Sequence, residues 1–182
     1  MKYYSFKPCG VETTKFCEPR LFGEWEEEPL FSNDWENREL KLPVTMTVKK
    51  KYNPGDDPLA DSKMVSQKLL DVIKQVNKDY EALPTQLYYK EKEPIWDIYY
   101  SMIFPEYEVL NLEKSKYSLF EKYIVQIYDI FLDADKILVP GERNGIFALK
   151  EKSTVIICTE IAKDMIEAAG IRDVSFTELP IE

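Results

Sequence analysis

Two helical segments that carry their own start and stop signals constrain this chain more than any other feature. The C-terminal one follows the apolar run Val155-Ile156-Ile157-Cys158, begins at Thr159 and ends at Gly170, with Phe147-Ala148-Leu149 before it and Phe176 after it. The other lies 93 positions upstream, where Ser66 aligns with Thr159, Asp71 with Asp164, Ile73 with Ile166 and Asn77 with Gly170. Ser and Thr accept hydrogen bonds from the orphan amides of a first helical turn, and Asn and Gly best tolerate the left-handed backbone after a last one. Leu69, Leu70, Ile73 and Val76, and likewise Ala162, Met165, Ile166 and Ala169, fall at helical spacing, which predicts one buried stripe per segment. Ile171 is expected to fold back onto Ile166, the contact that accompanies a glycine stop. Two readings stand: a pair of unrelated amphipathic helices, or a duplicated unit with halves at 62–89 and 155–182.

The rest of the chain reads mostly as strands. Lys2 to Lys7 alternates up to Pro8, and Val44, Met46 and Val48 alternate with Thr45 and Thr47 before a basic run of Lys49, Lys50 and Lys51. Further strands are expected around Leu83 to Tyr89, Ile95 to Phe104 and Tyr107 to Leu112. Tyr117 to Leu132 fits either a strand or a buried helix. Ile137-Leu138-Val139 and Ile146 to Leu149 flank Pro140 to Gly145, and the Asn144-Gly145 tip predicts a hairpin. A strand from Thr154 to Cys158 enters the last helix. The expected fold is α+β, a mostly antiparallel or mixed sheet with a few short helices, in a single domain over 1–182, because no Gly-rich or Pro-rich linker divides the chain.

Composition narrows the function classes. At 182 residues with 45% hydrophobic and 31% charged side chains, the chain can build a proper core. The sequence contains no histidine, which removes the commonest general base near neutral pH and the commonest transition-metal ligand. Its six glycines form no phosphate-cradling loop. Cys9, Cys17 and Cys158 have no metal-ligand spacing, and Cys158 sits in an apolar run as a small hydrophobe. Asp56, Asp57 and Asp61, or Asp129, Asp133 and Asp135, offer oxygen ligands but lack the calcium-loop pattern, so loop and cap roles explain them. No cofactor and no metal site is expected. The net charge of −9 argues against nucleic-acid binding and favours a basic partner. The N-terminus lacks an apolar signal region and no run approaches the ~20 residues of a membrane span, so a cytoplasmic protein is expected.

From Glu24 to Glu39 seven acids, Glu24, Glu26, Glu27, Glu28, Asp34, Glu36 and Glu39, stand against Arg38 alone, interleaved with Trp25, Phe31 and Trp35. Aromatic anchors inside a charged rim are the composition of a contact surface. Trp25, Glu26, Glu27, Glu28, Phe31, Trp35 and Glu36 are therefore the candidate partner-binding residues, against the plainer reading of tryptophans in the core and acids in water. Trp96 is read as core.

The order of these features resembles a bacterial family first catalogued as a domain of unknown function and since grouped with the immunity proteins of polymorphic toxin systems. The carriers are Met1-Lys2-Tyr3-Tyr4, Val65 to Asp71, Tyr107 to Ser115, and the end from Ile146 to Phe176. Asp173 stands where the second glycine of that family's closing turn would fall. The resemblance implies a cytoplasmic antidote that binds and occludes a cognate toxin domain, without catalysis. The alternatives are a small-molecule-binding or carboxylate-dependent hydrolytic enzyme, and a subunit of a larger assembly. A cleft with convergent buried acids would favour the enzyme, an exposed apolar or acidic patch the binding protein.

Overall fold

The computed structural model describes residues 1–8, 17–18, 44–48, 64–89, 93–172 and 174–182. The protein is α+β and mostly sheet. One five-stranded sheet joins β1 (Tyr3–Pro8), β7 (Glu106–Tyr107), β10 (Ile146–Leu149), β11 (Lys152–Thr159) and β12 (Val174–Leu179) in the order β12-β1-β11-β10-β7. The other joins β2 (Cys17–Glu18), β3 (Val44–Val48), β4 (Met64–Ser66), β5 (Glu81–Tyr89) and β6 (Glu93–Ile103) in the order β2-β3-β5-β6-β4. Each mixes one parallel pair, β10 with β7 or β3 with β5, into antiparallel neighbours. β8 (Lys116–Phe120) and β9 (Tyr123–Asp129) form a separate antiparallel hairpin.

Helices α1 (Gln67–Val76) and α3 (Glu160–Ala168) are the two punctuated segments. Ser66 Oγ accepts from the Leu69 amide at 3.2 Å and Thr159 Oγ1 from the Ala162 amide at 3.3 Å, so both caps form as expected. α3 also stops as expected. Gly170 sits at φ +67°, its N–H reaches Glu167 O at 2.9 Å, and the Ile171 N–H reaches Ile166 O at 3.3 Å, the paired bonds of a Schellman end. Asn77 does not mirror Gly170, because its backbone is extended at φ −114°, ψ 136°. The helix stop there comes from tertiary hydrogen bonds rather than from a left-handed residue.

The two helical units share a connectivity that neither helix alone discloses. β4 leads into α1 and α1 into β5, and β6 lies between β4 and β5, antiparallel to both. β11 leads into α3 and α3 into β12, and β1 lies between β11 and β12, antiparallel to both. Tyr99-Tyr100-Ser101 of β6 stands opposite Ser66, Val65 and Met64, while Tyr3-Tyr4-Ser5 of β1 stands opposite Thr159, Cys158 and Ile157. Each capping residue is thus paired with the first tyrosine of an identical Tyr-Tyr-Ser, and both tyrosines are fully buried. Leu69, Leu70, Val72 and Ile73 of α1 share one core with Ala162 and Ile166 of α3, roofed by Phe6, Ile146 and Cys158 from one sheet and Val65 and Met102 from the other.

Two buried amides tie the end of α1 to the chain that enters β10. Asn77 and Asn144 face each other across an isolated antiparallel bridge. Asn77 Nδ2 donates to Ile146 O at 2.6 Å and its Oδ1 accepts from Ile146 N at 2.8 Å. Asn144 Oδ1 accepts from the amides of Lys78 at 3.0 Å and Asp79 at 2.9 Å, and its Nδ2 donates to Tyr107 Oη at 2.7 Å and Asp79 Oδ2 at 3.0 Å. The hairpin expected over Ile137 to Leu149 is replaced here by α2 (Ala134–Arg143), capped by Asp133 and followed directly by β10. Ile137 and Pro140 are its buried positions. The expected turn residues serve close packing instead. A Cβ on Gly141 would lie 2.2 Å from Tyr3 Oη, and one on Gly145 would lie 2.7 Å from Val76 Cβ.

Replacing Asn144 by Ala removes the acceptor of two backbone amides and is expected to cost about 1–3 kcal/mol. Urea unfolding followed by circular dichroism measures it, and a midpoint equal to that of the wild type contradicts this role for the amide.

Candidate interaction surface

The most strongly perturbed titratable groups, Asp79 and Cys158, serve the fold. Asp79 accepts from Arg143 Nε and, at 2.8 Å, from Arg143 Nη2, and it also accepts from Asn144. The Arg143 hydrogen bonds, then that of Asn144, hold its carboxyl down to about 2. A carboxylate so stabilised is a poor proton carrier near neutral pH. Burial pushes the Cys158 thiol up to about 12, which keeps it protonated and inert. Burial also raises Glu151, whose Oε1 accepts from Leu110 N at 3.1 Å. Among the acids considered as ligands, Asp133 caps α2 and Asp129 pairs with Lys116 at 2.9 Å.

Trp25, Glu26, Glu27, Glu28, Phe31, Trp35 and Glu36 lie outside the described residues, as do Asp56, Asp57 and Asp61. The side chain of Trp96 is likewise outside them, although its backbone belongs to β6.

A different aromatic surface is present on the hairpin β8–β9, which resolves the ambiguity over Tyr117 to Leu132 in favour of strands. The Glu121-Lys122 turn joins them, with Glu121 at φ 54°. Ile124, Ile127 and Ile130 pack against a second core containing Tyr3, Leu132, Ile137, Phe147 and Leu179. Other large apolar side chains stay in water: Phe120 is 68% exposed and its cross-strand partner Tyr123 61%, with Leu119, Val125 and Tyr128 also exposed. Apolar side chains grouped on one hairpin mark a surface suited to a partner. Alternating aromatic and branched residues were the signal for it, but apolar residues on both faces read from sequence as full burial.

Beneath this hairpin a cleft of about 560 Å³ opens against the edge of the first sheet. Ser5, Lys7 and Thr177 lie on the sheet side, and the chain from Tyr128 to Phe131 forms the other wall. Lys114, Lys116, Asp129 and Glu178 also line it. Asp129 is held by Lys116, and Glu178 by Lys2 at 2.9 Å.

These features define an α+β protein that offers an apolar hairpin beside a polar cleft. The model of the immunity protein family Imm11 matches residues 11–180, and the chain belongs to that family. A comparison with curated proteins returned no match. Among the described residues no helix is long and apolar enough to cross a membrane.

The Asp79 pairing gives a pH signature. Its folded pKa lies below the unfolded value, so its contribution is fully present above about pH 4 and disappears as pH falls toward 2. The stability difference between wild type and Asp79→Asn is expected to shrink across that window. Acid titration of both proteins in mild urea measures it, and a difference independent of pH excludes the ion pair as its origin.

Proposed function

We propose that this protein is a cytoplasmic antidote that binds a cognate toxin domain and neutralises it by covering its working surface, without catalysis of its own. Membership of the immunity protein family over nearly the whole chain is the observation that carries this reading. The exposed Phe120 and Tyr123 support it, since aromatic side chains supply much of the energy of protein interfaces. The composition of Glu24 to Glu39 supports a second contact with a basic partner, in which Trp25 or Trp35 is the anchor and Glu26, Glu27, Glu28 and Glu36 steer the encounter. The enzyme alternative calls for convergent buried acids. The cleft beneath the hairpin offers lysines and hydroxyls instead, and its two acids are each paired with a lysine. We take the chain to be one domain whose helical units at 62–89 and 155–182 are copies of one ancestral unit, on the strength of their common strand order and the repeated Tyr-Tyr-Ser.

The test is co-production with the toxic C-terminal domain encoded by the neighbouring gene. Cells making both proteins are expected to grow, and the two to copurify. Growth arrest with no complex would overturn the reading. Within a complex, Trp25→Ala, Trp35→Ala or Phe120→Ala at an anchor is expected to weaken binding by about 30-fold, chiefly through faster dissociation. Reversing Glu26, Glu27 and Glu28 to Lys is expected to slow association and flatten its salt dependence. Unchanged kinetics in all of these variants place the interface elsewhere.

A further inference from the structure

We propose that the cleft between β9 and the β1–β12 edge is a carboxylate-binding site that receives an acidic side chain from an extended segment of the toxin. The inference rests on the antidote reading and assigns that reading a third contact, opposite in sign to the acidic one. Its floor follows from strand geometry. Residues Tyr3, Ser5 and Lys7 alternate onto one face of β1. Tyr3 is buried there, with its hydroxyl donating to Ile137 O at 3.2 Å, while the cleft opens over Ser5 and Lys7. Ser5 is only 3% exposed, and its hydroxyl makes no hydrogen bond to the described residues. Thr177 stands directly opposite Ser5 on β12 and lines the same cleft. Two hydroxyls at the floor and an ammonium on the same face form a donor set for one anionic oxygen group.

The state of the cleft's charges singles out Lys7. Lys116 is held by Asp129, Lys114 by Glu182 and Glu178 by Lys2. Lys7 is exposed and makes no ion pair with a described residue. A cation and two hydroxyls without partners among the described residues, in a chain of net charge −9, make a local reversal of sign that selects an acidic group.

Backbone geometry selects an extended protein segment as its bearer. β12 ends its sheet, so over Val174–Leu179 its outer edge pairs with no described strand. The chains rejoin just beyond, where Leu132 and Ile181 form a parallel bridge and Leu132 N donates to Pro180 O at 2.9 Å. The cleft is the gap left below that closure. A segment added along the β12 edge would gain main-chain hydrogen bonds and bring an acidic side chain over Ser5 and Lys7. Its apolar neighbours would then meet Tyr128 at the rim.

The experiment compares binding of the neighbouring-gene toxin domain by wild type, Lys7→Glu, Lys7→Arg and Thr177→Val, with circular dichroism melts of each variant. Lys7 and Thr177 are both exposed, so neither substitution removes core packing. The expected result is a loss of at least about tenfold for Lys7→Glu, mainly through faster dissociation, a change within about threefold for Lys7→Arg, and an intermediate loss for Thr177→Val. Wild-type binding that survives Lys7→Glu overturns the cleft assignment and leaves the antidote reading standing. Absence of wild-type binding overturns the antidote reading, and the cleft assignment with it. A second arm titrates the free protein with acetate and inorganic phosphate while following the amide signals of Ser5, Lys7 and Thr177. Weak perturbation at millimolar anion agrees with a site completed by a protein segment. Saturation by either anion at micromolar concentration overturns the proposal in favour of a free small-molecule ligand.

Discussion

The paired amides of Asn77 and Asn144 are the constraint on which the arrangement of both sheets depends. Each side chain behaves as a short piece of backbone, offering a donor and an acceptor in one plane: Asn77 uses both on the backbone of Ile146, and Asn144 gives its acceptor to the backbone after α1 and its donor to Tyr107 and Asp79. Asn77 exchanges two hydrogen bonds with Ile146, the first residue of β10, and Asn144 accepts from the amides that follow α1. Leaving buried amides unpaired is costly, so these contacts favour one register between the end of α1 and the start of β10 rather than a range of them. The glycines on either side obey the same demand. Gly145 N donates to Val76 O at 2.8 Å, an approach that a side chain at 145 would block.

From that junction the two halves reach outward as similar structures. In each, a Ser or Thr closes a strand and opens a helix, and a buried tyrosine from the intervening strand pairs with it. This equivalence was only half legible. Ser66 and Thr159 announce themselves because capping is local chemistry, as does the left-handed stop at Gly170. The tyrosine strand escapes a search for repeats because it precedes its helix in one half, as β1, and follows it in the other, as β6. No fixed offset aligns both the helices and the strands.

The failures of sequence reasoning have a common cause, in that local chemistry was answered by distant partners. Asn144-Gly145 carries a hairpin signature, yet the asparagine is drawn into the polar junction and the glycine into contact with Val76. Pro140, expected to open the turn of that hairpin, instead fills a buried position in a helix anchored by Asp133 and Ile137. Asn77 reads as a left-handed stop, and tertiary bonding to Ile146 holds it extended instead. The hairpin β8–β9 was ambiguous because period-2 and buried-helix patterns overlap when apolar residues fall on both faces. Its outer face, with Phe120 and Tyr123, stays largely exposed. The contact stretch read from the sequence, Glu24 to Glu39, lies outside the described residues.

An occluding antidote needs a surface whose shape is settled before the partner arrives, because ordering a loose surface on binding subtracts from affinity. The hairpin meets this requirement through its inner face. Ile124, Ile127 and Ile130 pack on the core that holds Tyr3 and Leu132, so the aromatic residues on the outer face are carried by an anchored strand pair. The cleft inherits the same rigidity, because its floor is the paired register of β1 and β12 and its closed end is the bridge between Leu132 and Ile181. Ser5 is fixed there by neighbours on both sides, paired with Ile157 on one strand and Thr177 on the other. The junction of the two units, the buried tyrosines and the cleft are therefore successive layers of one strand network. A change at Asn144 loosens the support of the surface without touching it, whereas a change at Lys7 or Phe120 alters the surface and leaves the support in place.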